Sequence, residues 1–339
     1  MPIVSVKDLT QTTFTAFQKA GVPKEEAHLV TDLLVKANLA GHDSHGVINA
    51  SYYLKGIQKG YITTGVTPRI IKETPTSATI NGNNGLGQVV LTHAAQVAVQ
   101  KSEENPLVLV TANNYHHCGQ LGSYARMISD QDRIGLVLLG RRGGEGYIVP
   151  WGGQKGRFYI NTLTIALPSN QPFPVLLDMA TSVVPYGKVE LRYARQEACP
   201  EGWIVDAEGN PSTDPRDLFN GGALLPLGGT TAGHKGSGLA FMVGLLAATL
   251  SGAKLAAEGT LIIAINPKHF IPLATFKEEV DRYVDSVHTT LPAKGFDAVL
   301  VPGERSYLET KKRLKKGIFV EEETWEKIGS WAKGGEPNG

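Results

Sequence analysis

Leu107-Val108-Leu109-Val110 is an unbroken apolar run of four residues, the pattern of a strand buried on both faces. A polar stretch from Asn113 to Gly122 follows it. A helical pattern then runs from about Leu121 to Asp130, and a second apolar run from Ile134 to Leu139. Strand, loop, helix and strand in that order make an α/β unit, and in such units ligands bind where the strand gives way to the helix. Further strands are predicted at Arg69–Lys72, Ser77–Ile80, Phe158–Leu167, Pro174–Leu177 and Leu261–Ile265, with Asn81–Gly85 as a turn and Val89–Lys101 as a helix.

The two ends of the chain read differently. Ser5 with Asp8 three residues on forms a capping box for a first helix, which Gly21 can end. Pro23 sits where a second helix should begin, with Glu25 and Glu26 at its positive end. Ala27, Val30, Leu33, Leu34 and Ala37 recur at helical spacing and predict one buried face. A third helix is expected over Ile48–Lys59. From Arg305 onward the sequence is again charged and helical, with Gly317 as a stop. No linker or repeat separates these ends from the middle, so they are expected to pack together. The run Gly236–Leu250 is too short to span a bilayer and reads as a buried helix.

Charge and cysteine content narrow the chemistry. Across 339 residues, 33 Lys+Arg against 32 Asp+Glu leave a net charge of +1, which argues against a nucleic-acid partner. Two cysteines, Cys118 and Cys199, cannot build a disulfide framework or a four-Cys zinc site. No secretory or membrane-spanning segment is visible, and a cytoplasmic location is expected.

Three polar clusters remain as candidates for chemistry. Gly41-His42-Asp43-Ser44-His45-Gly46 lies between two helices; a hydroxyl beside an imidazole can polarise a carbonyl and carry a proton, although turn residues alone would look the same. Asn113 to Gly122 contains His116-His117, and adjacent residues on extended chain point to opposite sides, so one histidine at most should face a site. Gly233-His234-Lys235-Gly236 directly precedes the apolar helix. A lysine at a helix start is electrostatically unfavourable unless an anion, such as a cofactor phosphate, shares the site. Arg141-Arg142 makes a weaker case of the same kind. The fingerprint G-x-G-x-x-G is absent, so the usual dinucleotide fold is not supported. No H-E-x-x-H or Cys pair supports a catalytic metal, and none is expected.

These motifs, in order along nearly the whole chain, resemble the malate/L-lactate dehydrogenase family of the second type. The likeness runs from Ala37-Asn38-Leu39-Ala40-Gly41-His42-Asp43-Ser44-His45-Gly46 through His116-His117-Cys118-Gly119. It continues in Leu177-Asp178-Met179-Ala180-Thr181-Ser182, His234-Lys235-Gly236 and Pro302-Gly303-Glu304. Bacterial hydroxycarboxylate dehydrogenases look most similar. The resemblance implies a non-Rossmann α/β fold, with a mostly antiparallel central sheet that binds NAD or NADP. It also implies a helical domain from both chain ends, here residues 1–72 plus 303–339 around a sheet domain of 73–302. It implies a homodimer and hydride exchange with C2 of a 2-oxo or 2-hydroxy carboxylic acid. The alternatives are reduction of a cyclic imine 2-carboxylate and a cofactor-binding homologue without turnover.

Carried over by position, the catalytic groups are His117, favoured as proton carrier, with His45 and Ser44; Asn49 and Tyr53 would meet substrate. Cofactor contacts fall on Arg141, Asn161, Asp178, Met179, Ala180, Thr181, Ser182, His234, Lys235, Gly303 and Glu304. Two departures stand out. Asn49 occupies the place of an arginine that grips substrate carboxylate in relatives, and Arg141, Arg142 or Lys235 are the candidates to replace it. The family turn Gly-Thr-Asn-Pro is here Tyr159-Ile160-Asn161-Thr162.

Overall fold

The computed structural model describes residues 2–335. Helix α1 (Val6–Lys19) starts as its sequence demands: Ser5 Oγ accepts the Asp8 backbone N–H at 3.1 Å and donates to the Asp8 carboxylate at 2.7 Å. Helix α2 (Lys24–Leu39) follows Pro23 and buries Ala27, Val30, Leu33, Leu34 and Ala37. Helix α3 (Ala50–Gln58) buries Tyr53 and Leu54. The remaining main helices are α4 (Gly87–Lys101), α5 (Gly122–Ser129), α6 (Tyr186–Ala194), α7 (Gly229–Gly244), α8 (Leu273–His288), α9 (Glu304–Lys316) and α10 (Glu322–Ala332).

Seven strands form the central sheet: β1 (Arg69–Thr74), β2 (Ser77–Gly85), β3 (Leu107–Tyr115), β4 (Ile134–Arg141), β5 (Thr162–Leu167), β6 (Val175–Met179) and β7 (Glu258–Ile265). Their order is β1-β2-β3-β7-β4-β5-β6, and every neighbouring pair is antiparallel except β2–β3. The sheet is therefore mostly antiparallel, as the resemblance implies. Leu107–Val110 lies in β3 beside the central strand β7, where Val110 pairs with Ile262. Both faces are covered, which explains the unbroken apolar run. On one face Val108, Val110, Val137 and Ile262 pack against Val90, Leu91 and Ala94 of α4 and Tyr124 and Ile128 of α5. On the other, Leu138 and Leu261 meet Val243 and Ala247.

The chain ends do pack together. Ile3–Val4 pairs antiparallel with Ile318–Phe319, and one apolar cluster joins Leu9, Phe17, Leu34, Tyr53, Ile328 and Trp331. Leu33 belongs instead to the sheet's cluster, so α2 is the seam between the two cores.

Four local expectations are corrected. Asn81–Gly85 is not a turn; β2 runs through it with a register shift, and Asn83 and Asn84 take left-handed φ of 52° and 57°. Asparagine tolerates that conformation, so a bulge absorbs the residues that looked like a reversal. The strand expected at Phe158 begins only at Thr162, because the Phe158 carbonyl and amide pair with Ile148 and Tyr147 instead. The run Gly236–Leu250 is helical but only half buried: Phe241, Met242, Leu245, Leu246 and Leu250 are exposed on one side of α7 and the π-helical turn Leu245–Thr249 that continues it. His234 and Lys235 lie inside α7 rather than before it, just after a kink at Ala232 (φ −128°, ψ 18°). Helix α8 was not anticipated from the sequence. Among the described residues no helix is long and apolar enough to cross a membrane.

Candidate active site

The turn between α2 and α3 is held from three sides. Asn38 Oδ1 accepts the Val47 N–H at 2.8 Å, while its amide donates to Asp43 at 2.8 Å. Asp43 takes a two-pronged bond from Arg313 of α9, at 2.6 and 3.0 Å. Gly46 lets this happen: a Cβ there would lie 2.1 Å from Asn38 Oδ1. The result presents Ser44 and His45 with Ser44 Oγ 3.1 Å from His45 Nδ1. Asn49 closes the turn by donating to the carbonyls of Ser44 (2.9 Å) and Gly46 (3.2 Å). Its amide is thus spent on backbone.

His117 arrives from the β3–α5 loop, 72 residues after His45 in the chain. Its ring stacks with His45 at a centroid distance of 6.0 Å. Its Nδ1 lies 2.6 Å from the Tyr53 hydroxyl, which also accepts from Gln88 Nε2 at 2.9 Å. The Tyr53–His117 bond ties down Nδ1, with the direction of its proton set by the His117 tautomer, and leaves Nε2 as the nitrogen for substrate. Burial pulls the His117 pKa from an ordinary 6.5 down to about 4. Burial, helped by His117, does the same to His45. Both imidazoles are neutral near pH 7. His116 turns the other way and packs on Tyr61 at 5.9 Å, so the adjacent histidines do diverge.

Asp178 ends beside this cluster. Its carboxylate accepts from Gln120 Nε2 at 3.2 Å and the Gly122 N–H at 3.1 Å, and it attracts His42. Burial raises the Asp178 pKa and lowers that of His42. His42 Nε2 in turn lies 3.2 Å from Ser306 Oγ, which brings the start of α9 to the same place. Gly303, with φ of 96°, packs against Pro174, and Glu304 binds His288 at 2.9 Å. Thr181 and Ser182 are buried; Ser182 donates to the Val184 carbonyl at 2.8 Å, whereas Thr181 Oγ1 has no hydrogen-bond partner among the described residues. Met179 and Ala180 lie between them and Asp178 and are partly exposed.

The other expected residues lie apart from the histidines. His234 and Lys235 are exposed on α7, with His234 against Trp151 at 5.8 Å. Lys235 has no ion pair among the described residues. Asn161 is buried, and its amide donates to the Ala240 carbonyl at 2.6 Å and accepts from the Arg141 N–H at 3.3 Å. This ties β4 to α7. The Arg141 guanidinium lies over the Tyr159 ring at 4.1 Å.

Sequence reasoning missed Gln88 and the pairing of His42 with Asp178. A glutamine on the buried face of an otherwise apolar helix was a readable signal for the first. The second depends on a contact across the fold. Among the described residues no three His, Cys, Asp or Glu side chains are placed to hold a metal.

The malate/L-lactate dehydrogenase family matches residues 4–329. The chain belongs to that family. The malate dehydrogenase of Pyrococcus horikoshii is 37% identical over 93% of this dehydrogenase and 90% of its own length. The malate/(S)-sulfolactate dehydrogenase of Methanothermus fervidus is 34% identical over 96% of both chains. Among solved structures, the malate dehydrogenase of Entamoeba histolytica superimposes with a TM-score of 0.93 at 28% identity, covering 98% of this chain and 97% of its own.

Proposed function

We propose that this dehydrogenase exchanges hydride between NAD or NADP and C2 of a 2-oxo or 2-hydroxy carboxylic acid, with His117 as the proton carrier. The observation that carries the reading is the Gln88–Tyr53–His117 string, which fixes the imidazole beside His45 and Ser44.

The residues fit a nicotinamide dinucleotide. Thr181 Oγ1 is a buried polar atom without a hydrogen-bond partner among the described residues, in the segment that would meet the cofactor. Asp178 offers a carboxylate oxygen for ribose or carboxamide, and Lys235, unpaired beside the α7 kink, suits a phosphate. Met179, Ala180, Ser182, His234, Gly303 and Glu304 would line the same path. Bound there, the cofactor supplies or takes up hydride at C2.

The protein's own groups manage the proton. In reduction, His117 acts from its imidazolium form: Nε2–H donates to the substrate carbonyl and passes its proton to the oxygen as negative charge grows there, leaving a neutral imidazole held at Nδ1 by Tyr53. Ser44 and His45 hold that same oxygen from the other side. In oxidation, the hydroxyl proton returns to imidazole. A carboxylate substrate beside two neutral imidazoles favours their protonation, which offsets the effect of burial. Tyr53 fixes the ring; burial pushes its own pKa well above the usual value, so it stays a phenol.

We further propose a cytoplasmic homodimer, with the exposed side chains Phe241, Met242, Leu245 and Leu246 covered by a second copy. The function is tested by following NADH and NADPH absorbance with a panel of 2-oxo acids and cyclic imine 2-carboxylates. Consumption with 2-oxo acids supports it, turnover of imines alone moves the activity to imine reduction, and no consumption overturns it.

A further inference from the structure

We infer that Gln88 is a positioning residue with two settings: its amide N–H faces Tyr53 when His117 Nδ1 is bare, and its amide oxygen faces Tyr53 when Nδ1 carries a proton. This rests on the proton role given to His117 above and adds the group that lets the ring change its protonation without stranding a buried donor.

Gln88 stands in the first turn of α4 and is fully buried. The start of that helix is pressed against the histidine loop: a Cβ on Gly87 would lie 2.0 Å from the His116 carbonyl oxygen and 2.8 Å from Cys118 Cα. A Cβ on Gly119 would lie 3.5 Å from Gln88 Nε2 and 3.8 Å from the His45 carbonyl oxygen, so the amide sits where the two histidine-bearing segments meet. Its Nε2 is 2.9 Å from the Tyr53 hydroxyl, and that hydroxyl is 2.6 Å from His117 Nδ1. Gln88 Oε1 is buried and has no hydrogen-bond partner among the described residues. Half of a buried amide is therefore idle in this arrangement, which native interiors rarely tolerate without a reason.

Counting protons gives the idle half a task. A phenol carries one proton, and the Tyr53 hydroxyl has two partners among the described residues. When Tyr53 donates to a bare Nδ1, its oxygen is free to accept from the Gln88 N–H. When Nδ1 holds a proton, it donates to Tyr53, and the phenol proton must turn to Gln88. An N–H there would leave two donors facing each other, whereas Oε1 accepts. Half a turn about the last side-chain torsion of glutamine exchanges the two atoms in the same space, and that torsion is broad and roughly two-fold. Nδ1 keeps its proton while Nε2 gives one up, so the oxygen setting belongs to the working ring. The nitrogen setting belongs to the neutral ring with its proton on Nε2. A methionine would offer neither setting, and a carboxylate only the second. The titratable groups around the ring are His45, at a centroid distance of 6.0 Å, and Tyr53, Cys118 and Tyr124. Burial raises the last three well above their usual values, and the fields of Asp178 and Glu258 reach Cys118. Of these groups, His45 titrates in the same range as His117.

The test follows the His117 ring by nitrogen NMR through a pH titration of the full-length protein. Gln88→Met, which removes both settings, should make the imidazolium about tenfold less populated at a given pH than in the wild type, so the ring titrates at lower pH. Gln88→Glu, which keeps an acceptor, should move the titration to higher pH. Tyr53→Phe, which cuts the string and leaves Gln88 in place, should move it to lower pH. The pH above which kcat/KM for reduction of pyruvate falls off should move the same way in each variant. A Gln88 that serves packing alone would lower kcat in both variants and leave the titration where it was, and that result overturns the proposal. So do two Gln88 variants that shift the ring in the same direction. Should Gln88→Glu fail to fold, Gln88→Met and Tyr53→Phe still decide, because no movement in either overturns the proposal. The NMR titration needs no turnover, so a protein inactive on every 2-oxo acid loses its proposed function while the two settings are still read.

Discussion

Two polar groups in the molecule, a neutral side and a charged side, are built on opposite principles. On one, Gln88, Tyr53 and His117 are joined by hydrogen bonds of 2.9 and 2.6 Å, His45 stacks on His117, and burial keeps both imidazoles neutral near pH 7. On the other, Arg141 and Glu258 are cross-strand partners that attract each other on one sheet face, with Tyr159 under the guanidinium. The contrast separates two ways of holding a side chain. The histidines keep a fixed geometry and stay neutral at rest because burial disfavours charge. The guanidinium keeps its charge and is held by an aromatic ring and an opposed carboxyl group.

The sharpest way to break this division is His117→Ala. Turnover should fall roughly 100- to 10,000-fold, the usual contribution of general acid-base catalysis. Steady-state kinetics on the substrate panel reads it; unchanged turnover would move the proton role away from the neutral side. Gly46→Ala comes next. Its Cβ would strike Asn38 Oδ1, so the turn must shift, at a cost of roughly 1–3 kcal/mol in stability, and Ser44 and His45 should lose their alignment. Denaturant unfolding and kcat measure the two effects.

Acid should act on the neutral side as well. His45 and His117 have folded pKa values of about 4 against an ordinary 6.5, so below 6.5 the unfolded chain binds more protons than the folded one. Their contribution to stability is full above pH 6.5 and is lost as pH falls from 6.5 toward 4. His45→Asn should flatten that fall in a thermal-melt series; an identical slope would show that His45 is not buried as a neutral ring. The smallest expected effect is Gln88→Leu. It removes the donor that orients Tyr53, and kcat should drop by about five- to tenfold, in line with one lost hydrogen bond. An unchanged kcat would show that Tyr53 holds His117 without help from Gln88.

Much of the neutral side was legible beforehand. Ser44, His45, Tyr53 and His117 were singled out, and the structure gathers them. The divergence of His116 from His117 follows from extended backbone alone. The charged side was not legible in the same way: Arg141 was noticed as a phosphate or carboxylate contact, but nothing marked Glu258, 117 positions away. Cross-strand partners in a seven-stranded sheet share no local pattern, because register is set by the strands between them. The half-exposed side of α7 escaped notice for a related reason. Phe241 and Leu245 are as apolar as Ala240 and Val243, and only the sheet's position shows which of them it covers.

The sequence by itself determined the helical ends, the buried strand Leu107–Val110 and its neighbour, and the turn chemistry that carries Ser44 and His45. Each rests on periodicity, capping or composition acting over a few residues. Tertiary structure alone decided that Asn81–Gly85 continues a strand, that Asn161 fastens β4 to α7, and that Arg141 and Glu258 share one face of the sheet. Those outcomes depend on which distant backbone groups become partners. Short-range preferences do not encode that choice; the collective packing of the core does.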